Sequence, residues 1–167
     1  MTLHRVVELV YLMLPAYAAN MAPPFLRFWP GWNRPIHRAL LGDHKTVVGF
    51  GLGVLVGLIV AYGQSLVGWS PGLLTPSNWL ALGLAAGFGA MAGDSIKSYF
   101  KRRAGIAPGK SWIPADQLDF VIGALVLMLP VIRLGWMDIT VILVLSFAGD
   151  IVVNHLAFML GIRTTKW

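Results

Sequence analysis

Five long apolar segments constrain the fold of this chain more than any other feature. Each is close to the roughly 20 residues that a helix needs to cross the hydrocarbon core of a bilayer. The chain is 57% hydrophobic and only 12% charged, whereas soluble domains average about 25% charged residues. We therefore predict an all-α integral membrane protein with a single polytopic domain and no room for a second, soluble one. The predicted spans are about residues 6–22, 47–67, 79–93, 118–134 and 139–162.

The basic residues predict how these spans are oriented. With five spans, the connections 23–46 and 94–117 and the C-terminus lie on one side of the membrane, and eleven of the 13 basic residues fall there. Only Arg5 and Arg133 fall on the other side. The positive-inside rule predicts a multi-pass cell-membrane protein with its N-terminus outside and its C-terminus in the cytoplasm. The eleven residues are Arg27, Arg34, Arg38, Lys45, Lys97, Lys101, Arg102, Arg103, Lys110, Arg163 and Lys166.

An alternative interpretation concerns the first span. Arg5, the apolar run after it and Ala16-Tyr17-Ala18 also fit a cleavable signal peptide. Cleavage would leave four spans, which would make the asymmetry of the basic residues harder to explain.

Glycines recur every four residues along the second and third spans, a spacing that lets helices approach closely in lipid. The triplet is Gly49, Gly53 and Gly57, and the two pairs are Gly83 with Gly87 and Gly89 with Gly93. They predict a tightly packed bundle.

The two long cytoplasmic connections are the candidate functional regions, and the second is the more informative. If the third span continues as a helix, one face carries Asp94, Lys97, Ser98, Lys101 and Arg102. Clustered basic residues repel each other unless an anion neutralises them. Phosphate groups suit lysine and arginine at this spacing. The alternative is a basic cluster that binds anionic lipid headgroups.

Asp116 and Asp119 share a helical face at the start of the fourth span. Paired carboxylates opposite a basic cluster are hard-oxygen ligands suited to Mg²⁺. Such a metal beside basic residues is typical of nucleoside triphosphate binding and phosphoryl chemistry. The alternative is that the two carboxylates only form ion pairs with lysine or arginine.

Two further polar features stand out. Lys45 and Thr46 come immediately before the second span, where they could hold phosphate or simply cap the helix. Ser146, Asp150 and Asn154 share a face of the fifth span, and Asp150 falls near its middle. An ionisable group there is either a functional residue or an anchor that hydrogen-bonds to another helix. The four histidines are far apart and cysteine is absent, so no zinc pattern is present.

Two segments resemble the signature of integral-membrane phosphatidate cytidylyltransferases. They are the run GDSIKSYFKRR at 93–103, with Lys110 after it, and IPADQLD at 113–119. The chain is short, has Gln117 where that family has arginine, and lacks a Gly-His-Gly-Gly segment. These departures point to the archaeal branch of the family, the CDP-archaeol synthases. The N-terminal Leu14-Pro15-Ala16-Tyr17, Lys45-Thr46 with Gly49, and the segment from His155 to Trp167 extend the resemblance over most of the chain.

The resemblance implies a cytidylyl transfer from CTP to digeranylgeranylglyceryl phosphate, an isoprenoid ether lipid phosphate, with release of pyrophosphate. It implies Mg²⁺ as cofactor, with Asp94, Asp116 and Asp119 as its ligands and as catalytic residues together with Lys45, Lys97 and Lys101. The implied substrate-binding residues are Asn20, Thr46, Ser98, Arg102 and Lys110.

Other functions remain open at the level of sequence. An enzyme acting on ester-linked phosphatidate, a small transporter using Asp150, and a non-catalytic protein that binds membrane lipids are the alternatives. The isoelectric point of about 10.1 reflects the excess of basic residues that the positive-inside rule explains. We therefore expect no nucleic-acid partner. The sequence is compatible with a homodimer.

Overall fold

Helices are the only regular secondary structure over the residues that the computed structural model describes, which are 1–28, 33–43, 45–69, 73–107 and 110–159. The only pairing of extended backbone in this part of the chain is an isolated bridge between Pro35 and Thr46. A 3₁₀ helix, Pro23–Phe28, follows the first helix after a break at Ala22. The α-helices are α1 (Leu3–Met21), α2 (Arg38–Leu41), α3 (Val47–Val67), α4 (Trp79–Arg103), α5 (Ala115–Met128) and α6 (Trp136–Met159). The predicted all-α class is confirmed.

Within the described ranges, four helical segments are long and apolar enough to cross a membrane. They are Leu3–Leu26, Val47–Val67, Trp79–Arg103 and Trp136–Leu156, and they match four of the five predicted spans. The remaining predicted span, 118–134, corresponds to α5, which has 14 residues. A helix of that length reaches about 21 Å, short of a hydrocarbon core of about 30 Å. The fifth span therefore stays a prediction. The end of the predicted span 139–162, beyond Met159, and the C-terminal basic residues lie outside the described residues.

The helix α4 continues past residue 93, the predicted end of the third span. Residues 94–103, which begin the predicted cytoplasmic connection, form its last turns, and this agrees with the helical face inferred for the residues from Asp94 to Arg102. No proline interrupts this stretch, and its lysines and arginines are good helix formers. The helix ends where Gly105 adopts a φ of 72°. There the Ile106 N–H donates to the Lys101 carbonyl (3.1 Å), as in a glycine-terminated helix.

The glycine stripes bring α4 into backbone contact with both of its neighbours, as predicted. A Cβ built on Gly57 of α3 would lie 2.8 Å from the Cα of Gly87 of α4. On the opposite side of α4, a Cβ on Gly89 would lie 2.7 Å from the Cα of Ala124 of α5. A Cβ on Gly93 would overlap the carbonyl oxygen of Asp119. The helix α4 is therefore held between α3 and α5.

The helix α6 is fixed against α1 by polar contacts at two levels. The Arg5 guanidinium donates two hydrogen bonds to Asp138, at 3.1 and 2.7 Å. Farther along, the hydroxyls of Tyr17 and Ser146 are 2.7 Å apart. The two helices therefore run parallel, and the Ser146 end of α6 lies beside the second half of α1.

We predict that Gly93→Ala separates α4 from α5 and lowers stability by about 1–3 kcal/mol, as overpacking does in well-packed cores. The melting temperature of the detergent-purified protein should fall by several degrees. Gly51→Ala on α3 is the matched control, because a Cβ there meets nothing within 4 Å. Equal melting temperatures for the two variants would contradict the close contact.

Candidate functional site

The ammonium group of Lys97 lies at the centre of the candidate site. Its Nζ is 3.3 Å from Asp94 Oδ1, 3.0 Å from Asp116 Oδ1 and 2.9 Å from Asp119 Oδ2. The first aspartate is on α4, one turn before Lys97, and the other two are on α5. One cation thus gathers three carboxylates from two helices.

Two further lysines complete the cluster. Lys45, just before α3, pairs with Asp94. Lys101 donates to both carboxylate oxygens of Asp116, at 2.9 and 2.7 Å. We call the six residues Lys45, Asp94, Lys97, Lys101, Asp116 and Asp119 the lysine–aspartate network. It contains three positive and three negative side chains, each no more than 24% exposed. It is therefore formally neutral and shielded from solvent.

Local structure places each member of the network. Asp94, Lys97 and Lys101 lie on one face of α4 by their spacing of three and four residues. The backbone around Lys45 is fixed by two hydrogen bonds between segments, from Ile36 N–H to the Lys45 carbonyl (2.7 Å) and from Val47 N–H to the Arg34 carbonyl (3.1 Å).

Backbone donors orient the two aspartates of α5. The Trp112 N–H donates to Asp116 Oδ2 (2.5 Å), and the Phe120 N–H donates to Asp119 Oδ1 (2.5 Å). The lysines and these backbone donors also set the ionisation of Asp116. Its burial would raise the pKa of the carboxyl, but hydrogen bonds from Lys101, Lys97 and the Trp112 backbone outweigh burial and hold the pKa below its ordinary value.

The fit of this site to a divalent metal is mixed. Among the described residues, no group of three acidic or histidine side chains is arranged to hold a metal ion. The three aspartates nevertheless supply the hard oxygens that Mg²⁺ prefers, and all three turn an oxygen toward one cation, the ammonium of Lys97. The donor chemistry therefore fits, while the centre is held by a lysine. The alternative expectation, ion pairing of Asp116 with Lys97 and Lys101, describes the contacts present in the structure.

The other predicted site residues lie outside the network, and three of them make local hydrogen bonds. The Thr46 hydroxyl accepts from the Gly49 N–H (3.1 Å) and caps α3. The Ser98 hydroxyl donates to the Asp94 carbonyl (2.8 Å), and Arg102 donates to the Ile106 carbonyl (2.7 Å). Asn20 is half-buried in the last turn of α1, and Lys110 is exposed between α4 and α5.

An apolar groove between α4 and α5 was not predicted from the sequence. It has a volume of about 450 Å³. Lys97 and Asp119 line it toward the end formed by Phe100 and Trp112. Its other walls include Phe88, Gly89, Ala92, Gly93 and Ile96 of α4 and Ile122, Gly123 and Val126 of α5. The recurrence of apolar side chains at positions 88, 92, 96 and 100 is the signal that could have revealed it.

The similarity to known proteins extends over nearly the whole chain. The model of the CarS-like CDP-archaeol synthase family matches residues 2–167. Curated CDP-archaeol synthases are similar to the chain at 39% identity in Methanospirillum hungatei, covering 93% of this chain and all of the relative, and at 37% in Thermococcus kodakarensis, covering 94% of each. The relative from Methanopyrus kandleri is 34% identical and covers 95% of this chain and 91% of its own.

A solved structure is also similar to this chain. It is described as an intramembrane enzyme for archaeal membrane lipid biosynthesis, and it is 28% identical. The match covers 89% of this chain and 94% of that one, with a TM-score of 0.76.

Proposed function

The chain belongs to the CDP-archaeol synthase family, and we propose that its reaction takes place at the lysine–aspartate network. As a member of this family, it is a CTP-dependent cytidylyltransferase of archaeal lipid synthesis. The main support for this location of the active site is that three lysines and three aspartates converge beside an apolar groove. Family membership also favours an ether lipid phosphate over ester phosphatidate, and an enzyme over a transporter or a passive lipid-binding protein.

In the proposed reaction, a phosphate oxygen of digeranylgeranylglyceryl phosphate attacks the α-phosphorus of CTP. The bond from that phosphorus to the bridging oxygen breaks, and pyrophosphate leaves. No protein nucleophile is required, because the lipid phosphate is itself the nucleophile. The protein contributes position and charge. Lys45, Lys97 and Lys101 bind phosphate oxygens of the two substrates and neutralise the charge that accumulates on the leaving pyrophosphate.

The three aspartates are the proposed ligands of Mg²⁺. When bound, the metal would supply positive charge to the triphosphate, which lysines alone supply less densely. Support comes from the chemistry of the donors and from their convergence on one cation. Asp94 and Asp119 approach that cation from α4 and α5, and the backbone contact between these two helices holds the proposed ligands close together.

The groove between α4 and α5 is the proposed site for an isoprenoid chain of the lipid. Phe88, Ala92 and Ile122 give it apolar walls that suit a branched hydrocarbon. Lys97 and Asp119 line the same groove. A lipid lying there would have its phosphate at the lysine–aspartate network and its chain along the bundle.

We further propose that α5 and the residues after it form the fifth span, with the N-terminus outside and the network at the cytoplasmic side. Support comes from the eleven basic residues on one side against two on the other. CTP is a cytoplasmic metabolite, which agrees with this orientation. The short length of α5 requires the turn from Leu129 to the start of α6 to lie within the membrane or local thinning of the bilayer.

Asp116→Asn and Asp119→Asn should each reduce pyrophosphate release by about 100-fold or more, since each removes a charged group from the reacting centre. The assay uses purified protein with CTP, Mg²⁺ and digeranylgeranylglyceryl phosphate. Asp43→Asn is the control, because Asp43 is 74% exposed and pairs only with a surface arginine, Arg38, among the described contacts. A folded Asp116 or Asp119 variant with wild-type turnover would remove that residue from the active site.

Ala92→Phe should fill part of the groove and raise the KM for the lipid by roughly tenfold, while the KM for CTP stays unchanged. Leu55→Phe on α3 is the control, because Leu55 is exposed on another helix and is not among the residues that line the groove. Equal lipid KM values in the two variants, or a matching rise in the KM for CTP, would contradict the groove as the lipid site.

Single cysteines report the topology cleanly because the chain has no cysteine of its own. In intact cells, a membrane-impermeant maleimide should label Ser77→Cys and Gly135→Cys and leave Ala107→Cys unlabelled until the cells are opened. Gly135 is exposed just before α6, and the proposed fifth span separates positions 107 and 135 across the membrane. Labelling of both from the same side would contradict it.

A further inference from the structure

The position of Lys97 has a consequence for metal binding. Its side chain is only 15% exposed, and its ammonium contacts Asp94, Asp116 and Asp119 at the same time. Asp94 and Asp116 have second lysine partners, Lys45 and Lys101. The ion pair that Asp119 makes is with Lys97, and its Oδ2 is buried without a hydrogen bond of acceptable geometry. The centre of the carboxylates is thus filled by a positive charge that belongs to the chain.

We propose that Lys97 is a built-in counter-ion that keeps the three carboxylates closed to divalent metal until a nucleoside triphosphate offers its ammonium another anionic partner. The inference rests on the proposed function, because it takes the three aspartates as metal ligands. An ammonium and a metal ion compete for the same oxygens and repel each other at this distance. The two therefore occupy the centre in turn.

The burial of Lys97 explains why metal alone displaces it poorly. Moving the ammonium away from the carboxylates would leave a largely buried charge without a partner, which is costly in a shielded site. A triphosphate brings several negative charges to the same face of α4, where Lys97 can turn from carboxylate to phosphate. Metal binding is then coupled to nucleotide binding through one side chain. The nucleotide-free enzyme therefore holds little metal, and it binds metal together with the nucleotide.

The test is the binding of Mn²⁺ to the full-length purified protein without nucleotide, followed by electron paramagnetic resonance of the free ion. Wild type should bind Mn²⁺ weakly, and Lys97→Met should lower the dissociation constant by at least about tenfold, because the competing charge is gone. Lys97→Gln is a second neutral variant in case the first does not fold. Mn²⁺ should also raise the melting temperature of either variant more than that of wild type.

Arg103→Gln is the matched control, because it removes one positive charge from the same helix at a side chain that contacts the Tyr99 hydroxyl. Its Mn²⁺ affinity should stay within about twofold of wild type, since an exposed charge is screened. Lys97 variants that bind Mn²⁺ no more tightly than Arg103→Gln would overturn the inference. So would tight binding of Mn²⁺ by nucleotide-free wild type, which can be measured whether or not the variants fold.

A negative result for Lys97 can be distinguished from a failure of the proposed function. Wild-type release of pyrophosphate that requires divalent metal, together with inactive Asp116→Asn and Asp119→Asn, would keep the active site where it is proposed. Only the role of Lys97 as a competing counter-ion would then be lost.

Discussion

The contact between α4 and α5 determines the geometry of the site, because the two helices meet backbone to backbone. Gly93 lies against the carbonyl of Asp119, and Gly89 lies against Gly123 and Ala124. A side chain at either glycine would overlap the opposite helix. The close approach brings Asp116 and Asp119 within reach of Lys97 and Lys101, which share one face of α4. The same approach leaves the apolar groove along the exposed edge of the pair. The close packing of α4 against α5 therefore accounts for both the lysine–aspartate network and the groove.

The charges of the network are arranged for exchange with substrates as much as for stability. Buried ion pairs contribute little net stability, because desolvation offsets most of their attraction. Here three lysines neutralise three aspartates that are brought together in a site largely shielded from solvent. A polyanionic substrate can replace carboxylates as the partner of the lysines, and a cation can replace lysines as the partner of the carboxylates. This chemistry agrees with the proposed reaction, in which the lipid phosphate is the nucleophile and the protein neutralises charge.

Part of this arrangement was predictable from spacing alone. Helical periodicity placed Asp94, Lys97 and Lys101 on one face and paired Asp116 with Asp119, and the structure brings these five residues together. The glycine spacing predicted close packing. The resemblance to the CDP-archaeol synthases, carried by residues 93–103 and 113–119, is confirmed by the family match.

Contacts between residues far apart in sequence could not be predicted from helical spacing. The pairing of Lys45 with Asp94 joins residues 49 apart in sequence, and no periodicity connects them. The groove depends on which faces of α4 and α5 meet. The helix α5 ends at Met128, while the apolar run continues into a turn at Leu129 and Pro130, and apolar content alone does not mark where a helix ends inside such a run. Arg102 shares the basic face by spacing, yet its guanidinium binds the Ile106 carbonyl at the helix end. This local hydrogen bond competes with any ligand for the guanidinium. The spacing of residues along a helix does not predict such a bond.

An experimental structure of the protein with CTP and Mg²⁺ would test most directly whether the lysine–aspartate network is the active site. We expect the triphosphate at this network, with the metal on carboxylates of Asp94, Asp116 and Asp119. We also expect the Lys97 ammonium to have moved from carboxylate to phosphate oxygens. A nucleotide bound elsewhere, with all three lysines still paired to the aspartates, would contradict this assignment.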